Sequence, residues 1–528
     1  MGVKGVIRNL MKHGVRKTYQ IHVDSKKTAK AAPVDVDAIV YDTIRTQMID
    51  SVKAQIDLGE KVAPYFNALP KGMAGAFIRK FNAAQMTSLI LHGLKENETQ
   101  LAAIDKVIAE MKAQDPETVT SDQMKAWDSQ MLSLESGRYR KLMKRIFVKE
   151  IYPLLYNSRA DQPVENKILF MQPRTGLNQS FKYIYNRIKE DYPYEPVLYE
   201  FHFNEVSSAE HYINSLDFVR ASATAKAVML HESSAYITYI KFRPETKVIQ
   251  LWHGCGIIKH LGLSNADKPG FKKMSTFEEF PEHSNYDLVT IASDELKWVF
   301  EEFMGRKKGD PVLQAIGVSR TDEFFDPEYV KNCYDKLHSI IPASKDKKVI
   351  LYAPTYRGKG IGRVAPRELD VAKFAEKLSD DYILIIKQHQ TAKNLPEIPE
   401  ENRDSFAYDM TRGKGMDINE LMTVADICIS DYSSVVFEFS LFERPIIFFM
   451  YDLEDYSDSR GMYYTYEELA ECGPICKTNE EVIDYIAHVD ERFDKEKVTE
   501  FKNRFMSACD GHATERIMNF IESDERTR

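Results

Sequence analysis

Cysteine is scarce and scattered. Six thiols in 528 residues (Cys255, Cys333, Cys428, Cys472, Cys476 and Cys509) include no CxxC pair, and no Cys/His cluster has zinc-ligand spacing. That excludes a disulfide scaffold and a structural zinc site, and fits a reducing cytosol. No apolar run approaches the roughly 20 residues that span a bilayer. The N-terminus lacks the continuous apolar core of a secretion signal. No P-loop, GxGxxG fingerprint or GxSxG elbow occurs, which counts against kinases, dehydrogenases and esterases. There is no excess of positive charge: the formal net charge is −9, so bulk electrostatics give no nucleic-acid partner. No internal repeat or low-complexity tract stands out. No acidic pair has the setting of a metal site. Asp35 and Asp37 fall in a linker, and Asp452, Glu454, Asp455 and Asp458 read as a solvated loop. No metal or cofactor is expected, and charge must be stabilised by Lys, Arg, His and helix ends.

What is present is an ordinary globular composition, 43% hydrophobic and 29% charged, with length for two or three domains. Residues 1–30 carry eight Lys and Arg against one acid, Asp24, with Val3, Val6, Ile7, Leu10, Met11 and Val15 at helical spacing. This fits a basic amphipathic helix on an anionic membrane surface. It fits equally a basic tail or a helix docked on the protein itself. A linker covers 25–37. Residues 38–160 read as helical: Leu101, Ile104, Ile108 and Met111 share one helix face, and Met131–Phe147 suggests another. The basic run Arg138, Arg140, Lys141, Lys144, Arg145 and Lys149 reads as a solvated helix face. From Lys167 the texture becomes α/β. Short strands are expected at Ile168–Met171, Ala227–Leu230, Val248–Leu251, Leu288–Ala292 and Val312–Ile316. A second set follows a polar stretch, at Val349–Ala353, Tyr382–Ile386, Ile427–Ile429 and Ile446–Phe449. Alternating strands and helices imply parallel sheets. Two sets imply two doubly wound domains, 165–338 and 345–528, with a cleft at the strand ends between them.

Chemistry gathers at those ends. Ile427–Ile429 runs into Ser430-Asp431-Tyr432-Ser433-Ser434 and a helix over Val435–Phe442, a βαβ turn that suits a phosphate at Ser433 and Ser434. Val248–Leu251 runs into Trp252-His253-Gly254-Cys255-Gly256. Two glycines there allow close backbone approach, and an imidazole can take a proton from an attacking hydroxyl. Val349–Ala353 leads to Thr355 and Arg357, whose guanidinium is a fork for phosphate. Tyr382–Ile386 leads to Lys387 and His389, two apart and so on one side of an extended segment.

Taken together, the pieces LWHGCGIIKHLGLS (251–264), YAPTYRGKG (352–360), IKQH (386–389), the stretch 429–464 and GPICKTNEEV (473–482) resemble the CDP-glycerol and CDP-ribitol glycerophospho- and ribitolphosphotransferases of teichoic acid and capsule synthesis. The resemblance covers roughly 165–520. It implies a GT-B fold: two Rossmann-like domains facing a cleft, the C-terminal one holding CDP-glycerol or CDP-ribitol and the N-terminal one the acceptor. It also implies a peripheral enzyme on the cytoplasmic face of the membrane, which moves an alditol phosphate to a hydroxyl of a lipid-linked polymer and releases CMP. By the same resemblance His253 is the base and His389 contacts the donor phosphates. Ser433 and Ser434 bind phosphate, Thr355, Arg357 and Lys387 lie near the donor, and Glu438 reaches the ribose hydroxyls. Gln390 stands where the family usually has proline. Two alternatives are a GT-B glycosyltransferase using a nucleotide sugar, and a catalytically silent nucleotide-binding subunit.

Overall fold

Two runs of parallel strands organise the chain. The computed structural model describes residues 144–524 except 146, 175, 202–214, 359–361, 390–391, 412–414 and 455–460. The basic segment 1–30, most of the helical region 38–160, Gln390, Asp455 and Asp458 lie outside the described residues.

The first sheet comprises β1 (Glu165–Gln172), β2 (Glu195–Glu200), β3 (Ala225–Leu230), β4 (Lys247–Gln250), β5 (Leu288–Thr290) and β6 (Leu313–Gln314), in spatial order β2-β1-β3-β4-β5-β6. The second comprises β7 (Lys348–Tyr352), β8 (Tyr382–Ile386), β9 (Ala407–Asp409), β10 (Ile427–Ser430), β11 (Ile446–Phe449) and β12 (Ile475–Cys476), in order β12-β11-β10-β7-β8-β9. All pairings between these strands are parallel. Every residue of β10 and β11 is buried, the pattern of strands covered on both faces. In the second sheet the order reverses between β7 and β10, the place where such sheets open a crevice for ligands. This is the doubly wound pair of the GT-B fold.

Six helices matter for the site: α1 (Gln179–Asp191), α2 (Pro327–Ile340), α3 (Ile418–Val424), α4 (Val435–Ser440), α5 (Lys495–Phe505) and α6 (Ala513–Glu522). Helix α2 carries the chain between sheets. Pro327 opens it and Asp326 caps it, accepting from Glu328 N at 2.9 Å, so both start signals lie in the sequence. The helix expected to reach Phe442 ends at Ser440.

The last helix does not stay with the second sheet. Ile517, Met518, Phe520 and Ile521 of α6 share a core with Ile168, Phe170, Ala227 and Leu288 of the first. Asp322 fixes its start, accepting from Ala513 N (3.1 Å) and Thr514 N (2.6 Å). Burying each such side chain contributes roughly 1.5–3 kcal/mol, so the crossing is a substantial part of the first body's stability. Within the second body, Phe437 of α4 packs against Phe501 and, edge-on, Phe505 of α5 (5.4 and 5.3 Å). A Cβ on Gly256 would lie 2.2 Å from the Phe437 ring. Glycine is therefore required where the loop after β4 meets α4.

Candidate active site

The chain leaves β4 through a strained corner. Trp252 has φ +58°, rare for a bulky residue. Its ring is held against Phe300 and Phe303 (6.0 and 5.0 Å), and its backbone N–H donates to Gln250 Oε1 at 2.9 Å. The corner turns His253 out of the sheet to an exposed position on the cleft. His253 Nδ1 lies 3.0 Å from the His231 carbonyl. A carbonyl only accepts, so Nδ1 carries the proton and Nε2 keeps the lone pair. Desolvation pushes the imidazolium of His253 below its ordinary range, against the pull of the His231 carbonyl and Glu232. The neutral, proton-accepting form is therefore favoured.

Two groups from outside the first sheet clamp this loop. Arg320 donates to the His253 carbonyl (3.0 Å) and to Asn419 Oδ1 on α3 (2.9 Å). Glu438 Oε1 on α4 accepts from Cys255 N at 3.3 Å. Further along, Tyr463 N donates to the Ile258 carbonyl (2.8 Å), and His260 N to that of Gly461 (3.0 Å).

Opposite, β7 and β10 end side by side. Buried Asp431 joins them by accepting from Thr355 N at 2.7 Å. Ser434 precedes α4 and makes no side-chain capping bond. His389, exposed to the cleft, stands edge-on to Tyr356 at 5.1 Å. Desolvation, then Arg363 and Arg174, lower its pKa.

His253, Thr355, His389, Ser433 and Ser434 thus line one cavity of about 250 Å³. Pro354, His389 and Ser433 also line a larger cavity of about 600 Å³, with Lys387, Gln388, Asp417 and Glu420 in its wall. The structure brings six of the eight expected residues to these two cavities. Lys387 reaches the wall with its ammonium on the carbonyls of Met410 (2.6 Å) and Met416 (2.7 Å), which it ties together.

Arg357 and Glu438 line neither cavity. The Arg357 fork is taken by Asp452 (2.7 and 3.1 Å) and Asp431 (3.0 Å), between the rings of Tyr432 and Tyr451. Asp452, expected in a solvated loop, is instead a partner of Arg357 and of Tyr432 (3.0 Å). Glu438 is 3% exposed, and its Oε1 accepts from the Cys255 backbone. Arg320, Asn419 and Gln388 were not singled out from sequence. The strand-end rule extended to β6 reaches Arg320, and Gln388 lies between two residues already chosen.

Residues 154–523 match the family model described as CDP-glycerol:poly(glycerophosphate) glycerophosphotransferase. A teichoic acid poly(ribitol-phosphate) polymerase of Bacillus spizizenii is 31% identical over 401 residues, 75% of this chain and 62% of that protein. The chain thus spans less than two thirds of that relative. A teichoic acid ribitol-phosphate primase of the same organism is 30% identical over 353 residues, 66% of this chain and 88% of that one. A teichoic acid glycerol-phosphate primase of Bacillus subtilis is 31% identical over 281 residues, covering 53% and 69%. Among solved structures, the wall teichoic acid polymerase TagF superposes with a TM-score of 0.58 at 23% identity, covering 74% of this chain and 96% of that one. It supports the fold.

Proposed function

The chain belongs to the CDP-glycerol:poly(glycerophosphate) glycerophosphotransferase family, and from that premise we propose that it transfers glycerol phosphate or ribitol phosphate from a CDP-alditol to a hydroxyl of a teichoic-acid-like polymer, releasing CMP. The observation that carries this is the meeting of two histidines from different sheets, His253 and His389, with Thr355, Ser433 and Ser434 around one small cavity. His253, neutral and with its free lone pair on Nε2, accepts the proton of the acceptor hydroxyl. The oxygen attacks the phosphorus that bears the alditol, and the bond to the bridging oxygen breaks. CMP leaves with the charge that His389 and the Ser433–Ser434 turn stabilise. Arg357 shapes this site through Asp431 rather than by touching phosphate.

The His253→Ala protein, given radiolabelled CDP-glycerol or CDP-ribitol and a lipid-linked acceptor, is expected to release CMP about 10²- to 10⁴-fold more slowly. Its affinity for the nucleotide should be kept. Release near the wild-type rate would remove His253 as the base.

The acceptor is proposed to be lipid-linked and met at the cytoplasmic membrane face, with residues 1–30 on the anionic surface. Deleting them, or raising salt, should weaken co-sedimentation with anionic liposomes. Unchanged sedimentation would count against this placement. Among the described residues no helix is long and apolar enough to cross a membrane.

A further inference from the structure

We infer that Arg320 and Asn419 are positioning residues, which hold His253 on the cleft by tying its backbone to the second body; the inference rests on the role proposed for His253 above. The corner at Trp252 (φ +58°) is why a hold is needed. A bulky residue keeps a positive φ only where its surroundings impose it. Arg320 supplies part of that constraint one residue on, where it donates to the His253 carbonyl at 3.0 Å.

The far side of the guanidinium is anchored on α3. Arg320 and Glu323 lie three apart in the 3₁₀ stretch Ser319–Phe325 that follows β6, and at that spacing two side chains stand on one side of the turn. Between them they grip a single amide. Arg320 donates to Asn419 Oδ1 (2.9 Å), and Asn419 Nδ2 donates to Glu323 Oε1 (2.7 Å). A guanidinium only donates, so the amide is turned one way, with its oxygen toward Arg320. Asn419 is fully buried and Glu323 nearly so, and bonds to charged groups are strong in such a setting.

Asp417, Ile418 and Glu420, the neighbours of Asn419 on and before α3, line the cavity of about 600 Å³. Asn419 and Arg320 themselves line neither cavity. The pair therefore acts on the reaction through the His253 backbone, and it can act only with α3 in place. Placement of the base and docking of the second body against the first become one event.

Full-length Arg320→Gln, Arg320→Lys and Asn419→Leu proteins test this. The rate is CMP release from radiolabelled CDP-glycerol or CDP-ribitol with a lipid-linked acceptor, and CMP binding by calorimetry checks the donor cavity. Arg320→Gln and Asn419→Leu should lower kcat about ten- to hundred-fold, the effect of a misplaced reacting group. The KM for the donor and the CMP affinity should stay as they are. Arg320→Lys, which keeps one long donor, should recover part of the rate. In a His253→Ala background the same substitutions should cause no further loss, because the side chain they act through is already gone. Three results would overturn the inference: wild-type kcat in Arg320→Gln, a loss carried by KM, or an undiminished further loss on top of His253→Ala, which would make Arg320 a merely structural residue. Wild-type protein that releases CMP from neither donor would remove the proposed function and this inference with it. An active wild type whose rate Arg320→Gln leaves intact would remove this inference alone.

Discussion

His253 depends on groups that never touch a substrate. The His231 carbonyl sets its tautomer, Trp252 turns it out, and Arg320 holds its backbone. Desolvation by the surrounding walls of the cleft lowers its pKa below the ordinary 6.5, so a base at this position is already deprotonated at neutral pH. The rate kcat/KM should stay level from about pH 6.5 to 8 and fall only as the pH drops through that lowered value. A pH–rate profile checks this, and an acid limb centred above 6.5 would contradict it. Residue types could be read from the sequence here; their partners could not. Arg357 was legible as a guanidinium at a strand end. The carboxylates that occupy it come from 74 and 95 positions further on, a separation that no local pattern records. Glu438 fell one turn after Ser434 as expected, but only packing against the Cys255 loop decides which way a buried carboxylate turns.

Elements buried on both faces were easy to find, and thin edges were not. β8 and β11 have the bounds that their apolar runs predict. The strands β2, β9 and β12 were missed: they lie at or beside sheet edges, are two to six residues long, and carry few apolar side chains. Pairing with a neighbour, rather than their own pattern, makes them strands. The seam between loop and helix was equally invisible, although Gly256 marks it. Gly256→Ala must displace the Phe437 ring and should destabilise the protein by about 1–3 kcal/mol. Adding Phe437→Leu should return part of that, since the two positions share one contact. Denaturant midpoints of the two variants decide it, and a Gly256→Ala protein as stable as wild type would show that the seam is loose.

On the scale of the whole molecule, two desolvated imidazoles, the buried His231 and the half-buried His283, tie stability to pH. Desolvation lowers His231 to about 3 and His283 to about 4, whereas the unfolded chain titrates both near 6.5. Below 6.5 the unfolded state therefore binds more protons than the folded one. Stability should be intact above that value and be lost progressively as pH falls toward 4 and then 3. Urea melts across this window should show the decline, and His231→Leu should flatten part of it; an unchanged slope would mean that His231 is not held neutral. The return of α6 to the first sheet has a different consequence, one of order in time. The ribosome completes β6 at residue 314 but must make about two hundred more residues before Ile517 and Ile521 can cover Ile168 and Phe170. At 5–20 residues per second that is roughly 10–40 seconds. Through that interval the nascent first body waits half-finished, with the apolar face that α6 will cover left open to water.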